Sequence, residues 1–293
     1  MRFTEIGQQL RAYRLESGLR AEEIAARLGV SRAALYRYEK GEVIKLDTIQ
    51  RLAELLKISP LSLLGIGVEY YSRPIGFLER IRQLEETAEQ ILLVTGALNF
   101  LTSTDGYERA YMQVLEEVVD NAGADRSAQR AAADQVVGML ATRKKMYAAR
   151  RPNMIAIFPA SSVRSFLTAG IGSGLPLSPR MRRIARDAAL AEIEHIASVM
   201  EAEPMGTQFG LLQSGEPAGT FEILRARDRA TLCVNPLQAD INPTGGAGVA
   251  MITTSDEAIA PHQRVAEALW RDCLKGAQAA AKVRELISAN HPG

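Results

Sequence analysis

The sequence predicts two fold classes in one chain: an all-α helix-turn-helix domain at the N-terminus, then an α/β domain with a mixed sheet. Three observations predict this. Residues 1–66 carry short helical periods punctuated by glycines. After residue 90, short apolar runs alternate with helical ones. Further on the strand-like runs cluster before a closing helix, which favours a mixed sheet with helices packed on it. A chain of 293 residues, 47% hydrophobic and 24% charged, is long enough for two such domains.

The first helix is expected over about 4–17, with Ile6, Leu10, Tyr13 and Leu15 on or near one face and Gly18 as its stop. The second covers about 21–28, with Ile24, Ala25 and Leu28 inward and Gly29 ending it. Ser31 caps the third, which buries Ala34, Leu35 and Tyr38 and stops at Gly41. The fourth runs over about 46–57, with Leu46, Ile49, Leu52, Ala53 and Leu56 inward. In "SPLSLLG" (59–65) a Ser cap and a proline at the first helical position start a short fifth helix. The texture then changes at "IGVEYYSRP", so 67–74 is expected to be a linker and 75–293 a sensor and dimerisation domain.

In that larger domain a helix is expected over 75–89, a buried strand at "QILLVTG" (90–96) and a helix over 106–120. Residues 122–134 are alanine-rich. "NMIAIFP" (153–159) reads as a strand, 160–170 as a helix closed by glycine, 170–179 as loop and 179–202 as a long helix. "TQFGLLQ" (207–213), "GTFEILRA" (219–226), "ATLCVNP" (230–236) and "GVAMITT" (248–254) read as strands. One helix is expected over about 261–288, with Val265, Ala266, Leu269, Trp270 and Cys273 in an apolar stripe.

Charge and composition bound the function. The net charge is +1, so a nucleic-acid footprint must be local. Residues 1–66 hold 11 Lys/Arg against 8 Asp/Glu, a surplus with the sign DNA binding needs. Cys233 and Cys273 form no zinc pattern or disulfide framework and read as apolar fillers in a reducing cytoplasm. The N-terminus lacks the apolar run of a signal peptide, and the most apolar stretch, 91–101, is too short to span a membrane. A soluble, cytoplasmic protein is expected.

The stretch 21–40 meets four requirements of a helix-turn-helix together. Taking Ala21 as first, a small Ala25 stands fifth, Gly29 ninth, Leu35 fifteenth and Tyr38 eighteenth. Between the inward residues, Ser31, Arg32, Ala33, Tyr36, Arg37 and Lys40 face out. Arginine pairs bidentately with guanine, Ser and Lys bind phosphate, and Ala33 lets the backbone approach a base edge. Tyr38 and Glu39 belong to the domain's own structure.

"GLRAEEIAARLGVSRAALYRYEKGE" followed by "LDTIQRLAELLKISP" resembles the Xre-type (Cro/C1-like) helix-turn-helix family of bacterial and phage regulators. The resemblance covers about residues 4–65. Where the family usually has Ser or Thr followed by Gln, this sequence has Arg20 and Ala21. The family's Gln often contacts DNA, and Arg20 is expected to replace it with a phosphate contact. The resemblance implies a dimer on a pseudo-palindromic double-stranded operator. The expected DNA contacts are Arg20, Ser31, Arg32, Ala33, Tyr36, Arg37, Lys40 and Lys45.

The larger domain shows no catalytic signature. His195 has Glu192 three residues before it but no second histidine, and reads as a half-exposed helix residue. His262 falls near the start of the last helix and His291 in the tail. "GIGSG" (170–174) is neither a nucleophile elbow nor a phosphate loop. The basic runs 143–151 and 180–186 read as solvated helix faces. The element order after residue 90 is similar to degenerate phospholipase-D-like sensor domains attached to some bacterial and archaeal regulators. Active members need a His-x-Lys pair, which this sequence lacks, so that resemblance implies a pocket without hydrolysis. No cofactor, no metal and no enzymatic activity are expected. A small-molecule effector would bind at strand ends, with Thr95, Gly96, Asn99, Ser161, Ser162 and Arg164 as candidates. An enzymatic domain fused to a DNA-binding module, or a ligand-free oligomeric regulator, are the alternatives.

Overall fold

The computed structural model describes residues 3–121, 126–215, 217, 219–237 and 248–290. His291 lies outside them. Five helices open the chain: α1 Phe3–Ser17, α2 Ala21–Leu28, α3 Arg32–Glu39, α4 Leu46–Leu56 and α5 Pro60–Leu63. Their boundaries follow capping chemistry. Gly29 takes φ 70° at the end of α2, the left-handed region glycine enters without strain. The Ser31 hydroxyl accepts from the Ala34 amide and starts α3. Ser59 caps α5, with Pro60 at its first position. Leu10, Ile24, Leu35, Leu52 and Leu63 are wholly buried between these helices. Leu46, expected inward, instead stands 75% exposed, because it is the first residue of α4 and lies beyond the packed stripe.

The remaining elements, in chain order, are β1 Val68–Tyr71, α6 Pro74–Glu85, β2 Gln90–Val94, a 3-10 turn Phe100–Thr102, α7 Asp105–Asp120, α8 Arg126–Arg150 and β3 Asn153–Pro159. Then come α9 Ala160–Ala169, α10 Pro179–Ala202, β4 Thr207–Leu212, β5 Phe221–Arg225, β6 Ala230–Val234, β7 Ala250–Thr253, α11 Asp256–Asp272, β8 Cys273–Lys275 and α12 Gly276–Asn290.

The strands form a single mixed sheet in the order β1-β7-β6-β5-β2-β3-β4-β8. β2, β3 and β4 are parallel and every other pair is antiparallel. The two faces are covered unequally. On one, Ile91, Met154, Ala156, Phe158, Phe209 and Leu211 pack in a core that continues through the helices to the five-helix head. On the other, Leu92, Val94, Ile157, Ile223 and Leu232 pack under α11 through Ile259 and Ala266. An all-α head followed by a mixed-sheet domain is therefore the architecture.

Three elements differ from the sequence expectation. Residues 67–74 are not a linker. They hold β1, which pairs with β7 so that Tyr70 stands opposite Met251. The sheet takes them because Glu69 and Tyr71, two apart and on one face, enter a buried polar cluster. The alanine-rich stretch from residue 126 onward and the basic run as far as Arg150 lie on one 25-residue helix, α8, since alanine has the highest helix propensity; residues 122–125 lie outside the described residues. The expected terminal helix breaks after Asp272. Cys273–Lys275 pair with β4, and Gly276 at φ 54° begins α12.

The head is docked on the sheet domain through α1 and α6. Glu69 of β1 sits at the centre. It accepts from Gln9 Nε2 at 2.6 Å, from Arg80 Nε at 2.9 Å and from the Tyr71 hydroxyl at 2.7 Å. Tyr13 of α1 stacks on Tyr71 with ring centroids 5.4 Å apart. Gln83 Nε2 donates to the Gln8 carbonyl at 3.1 Å, and Arg11 pairs with the buried Glu79 at 2.9 Å. The Glu16 carboxylate accepts from the backbone amides of Ser72 and Arg73, just before α6 begins. A buried charge in this arrangement is tolerable because each is paired and hydrogen-bonded.

Candidate nucleic-acid interface and effector cleft

The outer face of α3 is built from the turn upward. Val30 donates its amide to the Ala25 carbonyl, so the Gly29 turn holds α3 against α2 at a fixed angle. Gly7 lets α1 lie directly on the end of α3, since a Cβ there would come within 2.5 Å of the Tyr38 carbonyl oxygen. Arg14 braces the same end, donating from Nη2 to Glu39 Oε2 at 3.1 Å. Glu39 is thus the local partner expected, and Tyr38 packs half-buried against the core.

With that support, Ser31, Arg32, Ala33, Arg37 and Lys40 stand exposed on one surface, and Lys45 just beyond it precedes α4. Two of the arginines on α3 are held by acids. Arg32 Nη1 lies 2.7 Å from Glu22 Oε1 of α2, and Arg37 Nε lies 2.7 Å from Glu42 Oε2. These ion pairs are exposed and screened by water, so an anionic partner can take either guanidinium from them. Tyr36 differs from the free outward residue expected. It is half-buried, and its hydroxyl accepts from Arg32 Nη2 at 3.1 Å with the Arg32 guanidinium 5.3 Å from the ring centroid. It orients Arg32.

Arg20 is the N-cap residue of α2. Its amide donates to Glu23 Oε2 at 2.9 Å, which holds the Glu23 carboxyl below its ordinary range. The Arg20 guanidinium remains 79% exposed. Ala21 is buried, so the residue that stands where the resembled family has Gln faces the core.

A second site lies at the C-terminal end of β2, where β2 has the parallel β3 on one side and the antiparallel β5 on the other. Here Thr95, Gly96 and Asn99 border a small, open cleft of about 60 Å³. Phe77 and Leu78 of α6 form its apolar wall. Arg143, Thr220, Glu222 and Asn235 supply the polar lining. The loop side chains are pre-set. Thr95 Oγ1 donates to the Leu98 carbonyl, Asn99 Oδ1 accepts from the Leu101 amide and Thr220 Oγ1 donates to the Asn235 carbonyl. Arg143 makes a two-pronged bond to Glu85, at 2.9 and 2.7 Å.

Ser161, Ser162 and Arg164 are not part of this cleft. They sit on the first turns of α9, which continues β3, whereas the cleft opens on the β5 side of β2. Sequence reasoning missed Arg143, Glu222, Thr220 and Asn235. A signal existed for Arg143. Val136, Leu140 and Arg143 recur at helical spacing and are all buried, so the basic run 143–151 has one inward member. The run at 180–186 does match a solvated face, with Arg180, Arg182, Arg183 and Arg186 exposed.

His195 is half-buried, its Nε2 3.2 Å from the Thr102 carbonyl, and His262 Nδ1 lies 2.8 Å from the Ala258 carbonyl. Both cysteine thiols are raised above their ordinary range by burial, Cys273 to about 11. Among the described residues no helix is long and apolar enough to cross a membrane.

A family model described as a helix-turn-helix domain matches residues 5–63. Among solved structures, the chain is similar to TrmBL2, an archaeal chromatin protein described as showing a novel mode of DNA binding. That similarity is at 10% identity and a TM-score of 0.33, covering 78% of this chain and 62% of that one. The chain therefore spans less than two thirds of that protein's length. No curated protein matches the sequence.

Proposed function

We propose that the protein is a dimeric, sequence-specific transcriptional regulator that binds double-stranded DNA through α3 and a small-molecule effector through the cleft beside β2. One observation carries the DNA-binding part: Arg32, Ala33, Arg37 and Lys40 share one exposed surface on the second helix of a capped helix-turn-helix. In such a motif the second helix enters the major groove, and its N-terminal residues reach the base edges. Arg32 lies at the first position of α3 and is the base reader. Arg37, further along and paired with Glu42, binds phosphate, as do Arg20, Lys40 and Lys45. Ser31 keeps its cap and donates its hydroxyl proton to phosphate.

The Xre-type reading rests on the motif spacing, and the degenerate phospholipase-D-like reading of the larger domain on element order. Both describe a cytoplasmic binder that carries out no covalent chemistry. The cleft supports the effector part, because it combines an apolar wall with a few convergent polar groups at the point where the sheet changes from parallel to antiparallel.

The test is selection of binding sites from a random duplex library by the full chain, beside Arg32→Ala. The wild type should enrich a two-fold symmetric site. Arg32→Ala should lose about 1–3 kcal/mol and relax one position per half-site. An unchanged consensus in Arg32→Ala removes its base-reading role. Native mass spectrometry of the purified protein tests the effector part by its co-purified small molecule.

A further inference from the structure

We propose that the hairpin joining β5 to β6 is a second DNA-contacting element, through which the sheet domain binds the phosphates bordering the groove that α3 enters. This rests on the DNA-binding reading above. The hairpin is "RARDRA", residues 225–230, closed by the Ala226 amide donating to the Arg229 carbonyl at 2.9 Å. Arg225 is tied down by Gln263 at 2.9 Å. Arg227 and Arg229 project from the tip and are exposed, with Asp228 between them.

The position of the hairpin makes the patch significant. Arg229 Nη1 lies 3.3 Å from Glu5 Oε1, in the first turn of α1. The same turn touches the residues that follow the recognition helix, where a Cβ on Gly41 would approach Thr4 Cα to 2.8 Å. The α1 turn therefore touches both the arginine hairpin and the residues that follow α3. The major groove is about 12 Å wide. A helix seated in that groove has a phosphate strand on either side, and the cationic tip borders the same α1 turn as the end of that helix. The acids beside the tip are Asp228, between the two arginines, and Glu5, which pairs with Arg229. The Arg229–Glu5 pair is exposed on both sides, so a phosphate can displace the carboxylate.

The docking of head on sheet gives the contact a consequence. The hairpin belongs to the sheet domain, so DNA gripped by α3 and by the hairpin is held by both domains at once.

The experiment is equilibrium binding of the full chain to mixed-sequence duplex DNA over a range of salt concentrations. Each phosphate neutralised contributes about 0.9 to the slope of log affinity against log salt. The Arg227→Ala/Arg229→Ala double variant should lower that slope by about 1.8. Glu5→Gln should tighten binding, a gain that misfolding cannot imitate. Arg37→Ala, on α3 itself, should lower the slope by about 0.9 and calibrates the measurement. A wild-type slope in the double variant, or unchanged affinity in Glu5→Gln, overturns the hairpin contact while leaving the α3 contact standing. A wild-type chain that binds no duplex overturns both.

Discussion

Gly29 is where the sequence pattern and the backbone meet most directly. Its position in the motif requires a left-handed turn, and the turn has φ 70°. Nothing lies within 4 Å of a Cβ added there, so a substitution meets backbone strain alone, without a clash. Gly29→Ala should cost about 1–2 kcal/mol. Gly29→Val should cost more, because branching at Cβ sharpens the penalty. Gly29→Asn should cost least, since its side chain tolerates the left-handed region. Melting temperatures in the order Asn, Ala, Val from highest to lowest support backbone strain. Equal values for all three would sink the register assigned to this turn. The outward residues of α3 were readable from the same spacing. The place of Tyr36 was not, because its partner Arg14 lies far back in the chain and no local period announces such a contact.

Among elements, β1 and α6 hide most from the sequence. A short Val-Glu-Tyr-Tyr stretch beside serine and proline reads as a linker because Glu69 breaks the apolar pattern. It is a strand because Arg80, on α6, neutralises that carboxylate inside the fold. Long-range pairing of this kind leaves no periodicity to find, whereas β2 to β7 were legible as apolar runs. Glu69→Ala should cost about 3–5 kcal/mol in chemical denaturation, since it strands the buried Arg80 charge. Replacing both residues with apolar ones of similar volume should recover much of that loss. A single variant as stable as wild type would show that the cluster is not desolvated. α6 also joins the two proposed functions, with Glu79, Arg80 and Gln83 turned to α1 or its partners and Phe77 and Leu78 turned to the cleft. A ligand that shifts α6 therefore acts on the head by contact.

The same burial sets how the molecule responds to alkali. Burial raises Cys233, Cys273 and Tyr71 alike, with Glu222 adding to the Cys233 shift and Glu69 to that of Tyr71. A raised value means that the folded chain binds more protons than the unfolded chain. Its contribution is whole below the unfolded value and is lost as pH rises through the folded one. For Cys273 that window runs from about 8.5, the free thiol, to about 11. The tyrosines enter above about 10. Melting temperature should hold from neutral pH to about 8.5 and fall steadily beyond it. Cys273→Ala should flatten the first part of the fall. A curve flat to the tyrosine range would mean both thiols are solvated.

At the scale of the whole molecule, affinity is the quantity that one head cannot supply. A single helix-turn-helix touches few bases and typically binds near the non-specific range, roughly 10⁻⁴–10⁻⁶ M at physiological salt. Joining two heads makes the second contact intramolecular, at an effective concentration of about millimolar, and adds about 10²–10⁴ in avidity without a new contact. That reaches the range of specific regulators. Because the head is fastened to the sheet by Glu69, Glu16 and Gln83, the geometry of any dimer fixes the spacing between its two recognition helices. The chain should therefore tolerate no change in operator half-site spacing. Inserting half a helical turn between half-sites rotates one of them to the opposite side of the duplex, and should weaken binding by about 10²–10⁴, the whole of the avidity. Inserting a full turn should not restore it, unlike in a regulator whose heads hang on flexible linkers. Sedimentation of the complex should give two protomers per intact operator. Full affinity with a single protomer bound, or indifference to half-site spacing, would overturn the rigid dimer.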